Sequence, residues 1–116
     1  MNASRENKIL MPFPPSLNSL FPGKQRRHKS KAYEAWIREA GYMLLNQRHD
    51  RFDCPISVSY FFGRPDKRKR DLDNLFKAPN DFLVSSGVIA DDSLIHRICG
   101  EWADVEGCLA VIKTVG

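Results

Sequence analysis

Five residues in the second half of the chain carry the groups with the most chemistry. Asp71 and Asp73 stand two apart in RDLDNLFK, Lys77 follows four after Asp73, and Asp91 and Asp92 are adjacent in VIADDSL. Just upstream, Arg64, Lys67, Arg68, Lys69 and Arg70 place five cations within seven residues. Converging carboxylates repel one another unless a cation lies between them. Mg2+ suits such a place, because it takes oxygen ligands and keeps water and substrate phosphate in its remaining positions. A divalent ion so held supplies a hydroxide nucleophile to a phosphodiester and steadies the leaving oxygen. Asp71, Asp73, Asp92 and Asp91 are therefore candidate ligands for Mg2+, with the basic run holding the adjoining phosphate backbone. The same residues also fit an ordinary capped helix bearing a solvent-facing ion pair, and paired aspartates are frequent in soluble proteins.

The charge distribution points to the same class of partner. The chain has 116 residues, the size of one domain over 1–116, with 18 Lys and Arg against 14 Asp and Glu for a net charge of +4. The excess is concentrated in two stretches, GKQRRHKSK and RPDKRKR. Lys24, Arg26, Arg27 and Lys29 from the first, with Lys67, Arg68, Lys69 and Arg70 from the second, are the candidate contacts to nucleic acid. His28 lies in the first stretch, either on phosphate or in a solvated loop. The three cysteines have no C-x-x-C spacing and the histidines are scattered, so no zinc pattern competes. Neither a Walker A loop nor a Rossmann glycine pattern is present. No apolar run is long enough to span a bilayer and the N-terminus lacks a signal-peptide core, so a cytoplasmic protein with reduced cysteines is expected.

These residues need elements to position them. NKILMPF over 7–13 reads as a short strand halted by Pro14 and Pro15. Ser30 is a fitting N-cap for a helix from Lys31 to Gln47, with Ala32, Ala35, Trp36, Ala40, Met43 and Leu44 at helical spacing. PISVSYFFG over 55–63 alternates as a strand does. A second helix is expected from Asp71, with Leu72, Leu75, Phe76, Phe82 and Leu83 on its apolar stripe and Gly87 as its cap. Asp73, Lys77 and Asp81 then share its polar face, with Asp73 and Lys77 within side-chain reach. Pro79 conflicts with one continuous helix unless a new helix starts there. Leu94–Trp102 and Cys108–Val115 read as two strands joined in a hairpin, which would let Cys99 and Cys108 face each other. The order β-α-β-α-β-β gives a mixed α/β (α+β) class, a small mixed sheet with helices packed on it.

KRKRDLDNLFK, SGVIADDSLI and the earlier MPFPPSLN together resemble the RusA family of Holliday-junction resolvases. In that family a basic stretch precedes D-L-D-N-L-x-K, and a D-D pair follows after a helix. The resemblance implies a homodimeric, Mg2+-dependent endonuclease, with no cofactor beyond the metal and no membrane partner. Its substrate would be four-way junction DNA, cut by paired symmetric incisions in recombination and repair. It carries the metal-binding aspartates onto Asp71, Asp73 and Asp92, with Asp91 a lesser candidate, and the catalytic lysine onto Lys77. The chain departs from the family at APNDFLVSSG, where Pro79 and the pair Phe82-Leu83 stand in the helix after the motif. A two-fold dimer matches the two equivalent cut sites of a junction. Trp36, Phe61 and Phe62 are available for its interface or for the core, and Asn18 and Asn74 for hydrogen bonds behind the site or for turns. Two other functions use parts of the same pattern. A catalytically silent branched-DNA-binding module would keep the basic patches, and an enzyme acting on a small nucleotide would need a glycine-rich phosphate loop that this sequence lacks.

Overall fold

The computed structural model describes residues 5–22 and 28–115. Four strands and two helices run in the order β1 (Glu6–Met11), α1 (Lys31–Leu45), β2 (Ile56–Phe62), α2 (Lys77–Ser85), β3 (Ile95–Trp102) and β4 (Cys108–Thr114). The expected class and element order are those observed. The strands form one sheet in the order β1-β4-β2-β3, with β3 parallel to β2 and the other pairs antiparallel. Asn7, Ile9 and Met11 of β1 face the same side as Val58, Tyr60 and Phe62 of β2 and Cys108, Ala110 and Ile112 of β4. The apolar members of this set bury against Tyr33, Trp36, Ala40 and Leu44 of α1 and Phe82 and Leu83 of α2. Phe62 and Trp36 are thus core residues, whereas Phe61 is half-buried on the opposite face of the sheet.

The expected hairpin is not formed. β2 lies between β3 and β4, so the segment Ala103–Gly107 arches over the end of β2. Ala103 donates to the Phe62 carbonyl at 2.9 Å, and Gly63 donates to the Gly107 carbonyl at 2.9 Å. This arch needs a residue without a side chain at 63, because a Cβ there would stand 1.7 Å from the Val105 carbonyl oxygen. Parallel pairing of β2 with β3 follows from the long crossover through α2. The separation also keeps Cys99 from Cys108, and all three cysteines are free. Burial pushes the Cys108 thiol up to about 12.

The conflict over Pro79 resolves in the local geometry. Residues Leu72–Leu75 make a 3-10 turn, and α2 begins only at Lys77. Pro79 therefore sits in the first turn of α2, where a backbone N–H has no intrahelical acceptor and a fixed φ suits helix entry. Pro79→Ala should accordingly shift stability by no more than about 1 kcal/mol, against about 3 kcal/mol for a proline in a helix interior. Urea unfolding of the two proteins checks this, and a larger loss on removing the proline would mean that it braces the 3-10 turn. Ser30 caps α1 as expected, accepting from the Tyr33 amide at 3.1 Å.

Candidate active site

The 3-10 turn that carries Asp73 is set by what lies beneath it. Leu75 is buried, and Phe76 lays its ring on the sheet, stacked on Tyr60 with ring centres 5.8 Å apart and 6.1 Å from Phe62. The turn touches β3, α2 and the short 3-10 turn Leu17–Ser19. Its seat depends on Gly100 of β3, where a Cβ would stand 2.5 Å from the Phe76 ring. Tyr60 fixes α2 above it, donating from its buried hydroxyl to Asn80 Oδ1 at 2.5 Å. Burial raises the Tyr60 hydroxyl well above its ordinary range, so it stays a donor at any physiological pH.

Asp91 and Asp92 are held by a contact that sequence reasoning missed. Phe52 forms a lone parallel bridge with Ile89, its amide donating to the Val88 carbonyl at 2.7 Å and its carbonyl accepting from the Ala90 amide at 2.9 Å. Two buried residues, Phe52 and Ile89, thereby tether the chain just before Asp91. The only trace in the sequence is the apolar Phe52 in a polar stretch. The 3-10 turn Asp92–Leu94 that follows packs against α2.

The acidic residues between 64 and 92 fall into two groups. Asp66 accepts two hydrogen bonds from Arg70, at 2.5 and 3.2 Å, and the Arg70 guanidinium holds its carboxyl below the usual range. Asp81 pairs with Lys77 at 3.2 Å. Asp91 accepts from the Ser93 hydroxyl and, at 3.0 Å, from the Ser93 amide, and these bonds lower its carboxyl. Asp71, Asp73 and Asp92 are exposed, and their carboxylates have no hydrogen bond or ion pair among the described residues. Asp71 stands at the cap position of its 3-10 turn without capping it. Because α2 starts late, Asp73 lies off that helix, and Lys77 pairs with Asp81 instead of Asp73.

As donors the three unengaged carboxylates suit a hard cation, being exposed oxygen ligands without competing partners. Among the described residues, however, no three His, Cys, Asp or Glu side chains come together as a metal-holding group. The turn that carries Asp73 touches both β3 and α2, and the turn that Asp92 opens touches α2, without the carboxylates closing as a metal-holding group among the described residues.

The basic run is a shaped loop. Arg70 also lies over the Phe13 ring at 5.3 Å, and Arg64 over the Trp102 ring at 4.1 Å, while Phe13 and Trp102 stack on each other at 6.3 Å. The two ends of the loop are thus pinned on the two rings of one aromatic pair. Asp66 accepts from the Arg68 amide at 3.0 Å and closes the loop from within. Lys67, Arg68 and Lys69 are left exposed at its crest. Lys29 is exposed ahead of α1, and Lys24, Arg26 and Arg27 lie outside the described residues.

Comparison with known proteins identifies a family for most of the chain. The family model described as endodeoxyribonuclease RusA matches residues 12–111. A crossover junction endodeoxyribonuclease RusA from Aquifex aeolicus (strain VF5) is 33% identical over 89 residues, covering 76% of this chain and 71% of the relative. Proteins of the same name from Escherichia coli (strain K12) and Shigella sonnei (strain Ss046) are each 33% identical over 89 residues, covering 75% of this chain and 74% of the relative. Among the described residues no helix is long and apolar enough to cross a membrane.

Proposed function

The chain belongs to the RusA family of crossover junction endodeoxyribonucleases, and from that membership we propose that it resolves four-way DNA junctions by Mg2+-dependent, paired symmetric cleavage as a homodimer. The observation that carries the site assignment is the division of the aspartates. Asp66, Asp81 and Asp91 are spent on neighbours, while Asp71, Asp73 and Asp92, downstream of the basic loop, have no partner for their carboxylates among the described residues. In this reading Asp71, Asp73 and Asp92 would hold the ion once drawn together around it, and the ion would supply an activated water and charge stabilisation at the scissile phosphate. Asp91, fixed by Ser93, shapes the turn that presents Asp92.

The chain's own cations bind and orient the substrate. Arg68 and Lys69 meet phosphates from the crest of the loop. Arg70, already held by Asp66 and Phe13, keeps that crest in place. Lys77 turns to the scissile phosphate, where its charge would stabilise the transition state. Its exposed pairing with Asp81 is of the kind worth at most about 1 kcal/mol, so leaving it for phosphate costs little. One folded unit over 1–116 and a cytoplasmic setting complete the reading.

The direct test is cleavage of a labelled four-way junction beside linear duplex of the same sequence, with Mg2+ and with chelator. Paired nicks in the junction alone, requiring the metal, are expected; equal cutting of the duplex would sink the junction assignment. A second expectation concerns the loop. Arg68→Ala with Lys69→Ala should weaken junction binding and reduce the slope of log affinity against log salt by roughly two, about one for each phosphate left without its cation. An unchanged slope would remove the crest of the loop from the interface.

A further inference from the structure

Between the Pro14–Pro15 segment, the start of α1 and the basic loop lies an open groove of about 890 Å3. That is the scale of a small-molecule site and too small for a duplex to enter. Pro14, Pro15 and Trp36 line it with apolar surface, Arg68 and Lys69 border it with charge, and Asp71 and Asn74 stand at the same border. Ala32 and Ala35 form the α1 wall. The sequence pattern assigns both alanines to the core stripe, yet both are exposed. Three residues apart on one helix face, they keep the groove open where any longer side chain would fill it. Asn18 and Asn74 also line it, and no hydrogen bond among the described residues engages either side-chain amide. A free amide offers a donor and an acceptor together, as a base edge requires.

We propose that this groove receives one unstacked nucleotide of the strand that is cut, with its ring and sugar against the prolines, its flanking phosphates on Arg68 and Lys69, and its base edge on Asn18 or Asn74. The proposal rests on the nuclease reading above and adds to it a determinant of cut-site preference. Bases next to a branch point are cheap to unstack, which makes a single-nucleotide receptor usable there. Asp71 at the border puts that nucleotide beside the bond to be broken.

The test uses junctions carrying 2-aminopurine at one position at a time around the branch, mixed with the full-length protein in chelator. For wild type, emission should rise about twofold or more at one position as the base unstacks. Ala35→Phe, folded by circular dichroism, should abolish that rise while keeping junction affinity within about threefold, since the phosphate contacts dominate binding. Asn18→Ala or Asn74→Ala, whichever removes the amide on the base edge, should keep the rise and lose the preference for the base at the cut. An Ala35→Phe protein with wild-type emission and wild-type preference overturns the proposal. Should Ala35→Phe misfold, unchanged base preference in both Asn18→Ala and Asn74→Ala overturns it instead. A wild type that cuts junctions with no position-specific rise also overturns the groove and leaves the nuclease standing. One that unstacks a single base but never cuts supports the groove and retires the nuclease reading.

Discussion

Asp73→Asn should lower Mg2+-dependent junction cleavage by on the order of 100-fold or more, because loss of one carboxylate removes both a ligand and the charge that holds a hard cation. Junction affinity should stay the same or rise, since a neutral amide no longer repels phosphate when the metal is absent. The fold should be untouched: Asp73 is exposed, and its carboxylate has no partner among the described residues to lose. Asp81→Asn is the matching control. Its carboxylate is engaged with Lys77, so its removal should leave cutting in place and free the lysine. Single-turnover cleavage and gel-shift affinity of both variants separate the outcomes. Wild-type cutting by Asp73→Asn in Mg2+ would dismiss the assigned site.

Gly100→Val should destabilise the protein by about 1–3 kcal/mol and reduce cleavage beyond what the lost folded fraction explains. A Cβ at 100 would lie 2.5 and 2.6 Å from two atoms of the Phe76 ring, which is wedged over Tyr60 and Phe62. The ring must move, and it is the residue that joins the Asp73-bearing turn to α2. Phe76→Leu in the same chain should recover part of the loss, the signature of two side chains competing for one space. Gly41→Ala is the contrast. Nothing lies within 4 Å of the added carbon, so it should stabilise α1 by roughly 0.5–1 kcal/mol. Denaturant midpoints and cleavage rates under conditions where each variant is folded decide the matter. A Gly100→Val protein as stable and as active as wild type would show that the turn is not seated through Phe76.

Legibility in the sequence varied with the range of the interaction. The strands β1 and β2 and the helix α1 could be read because alternation and helical spacing are local properties, and Ser30 because a cap acts within one turn. The start of α2 was placed early, since the apolar stripe from Leu72 to Leu83 runs on through a 3-10 turn without a break in spacing. Pro79 stands two residues after the true beginning at Lys77, and its place in the first turn shows why it is tolerated. The hairpin failed for a different reason. A five-residue connection between two strands favours adjacent pairing, but Gly63 lets that connection pass over the end of β2, and nothing near residues 103–107 announces it. At the site, carboxylates and cations could be named from residue types and spacing. Which aspartates are spent on neighbours could not, because Asp66 with Arg70 and Asp81 with Lys77 use the same four-residue interval as Asp73 with Lys77. The exposed Ala32 and Ala35 were hidden by their composition, being apolar residues that follow the core spacing without joining it.

The strand order also governs how the chain is made. β1 is synthesised before the other three strands, and its sheet partner is β4, with Glu6 opposite Lys113 and Met11 opposite Cys108. β4 in turn fills the space between β1 and β2. A growing polypeptide therefore carries Ile9 and Met11 without the strand they pair with until residues 108–114 have emerged. Pairings between distant parts of a chain are slow to form and leave apolar strands available to wrong partners meanwhile. For this protein, emergence of β4 is the step that admits folding, and loss of residues 108–114 would cost the whole sheet, not merely one strand of it.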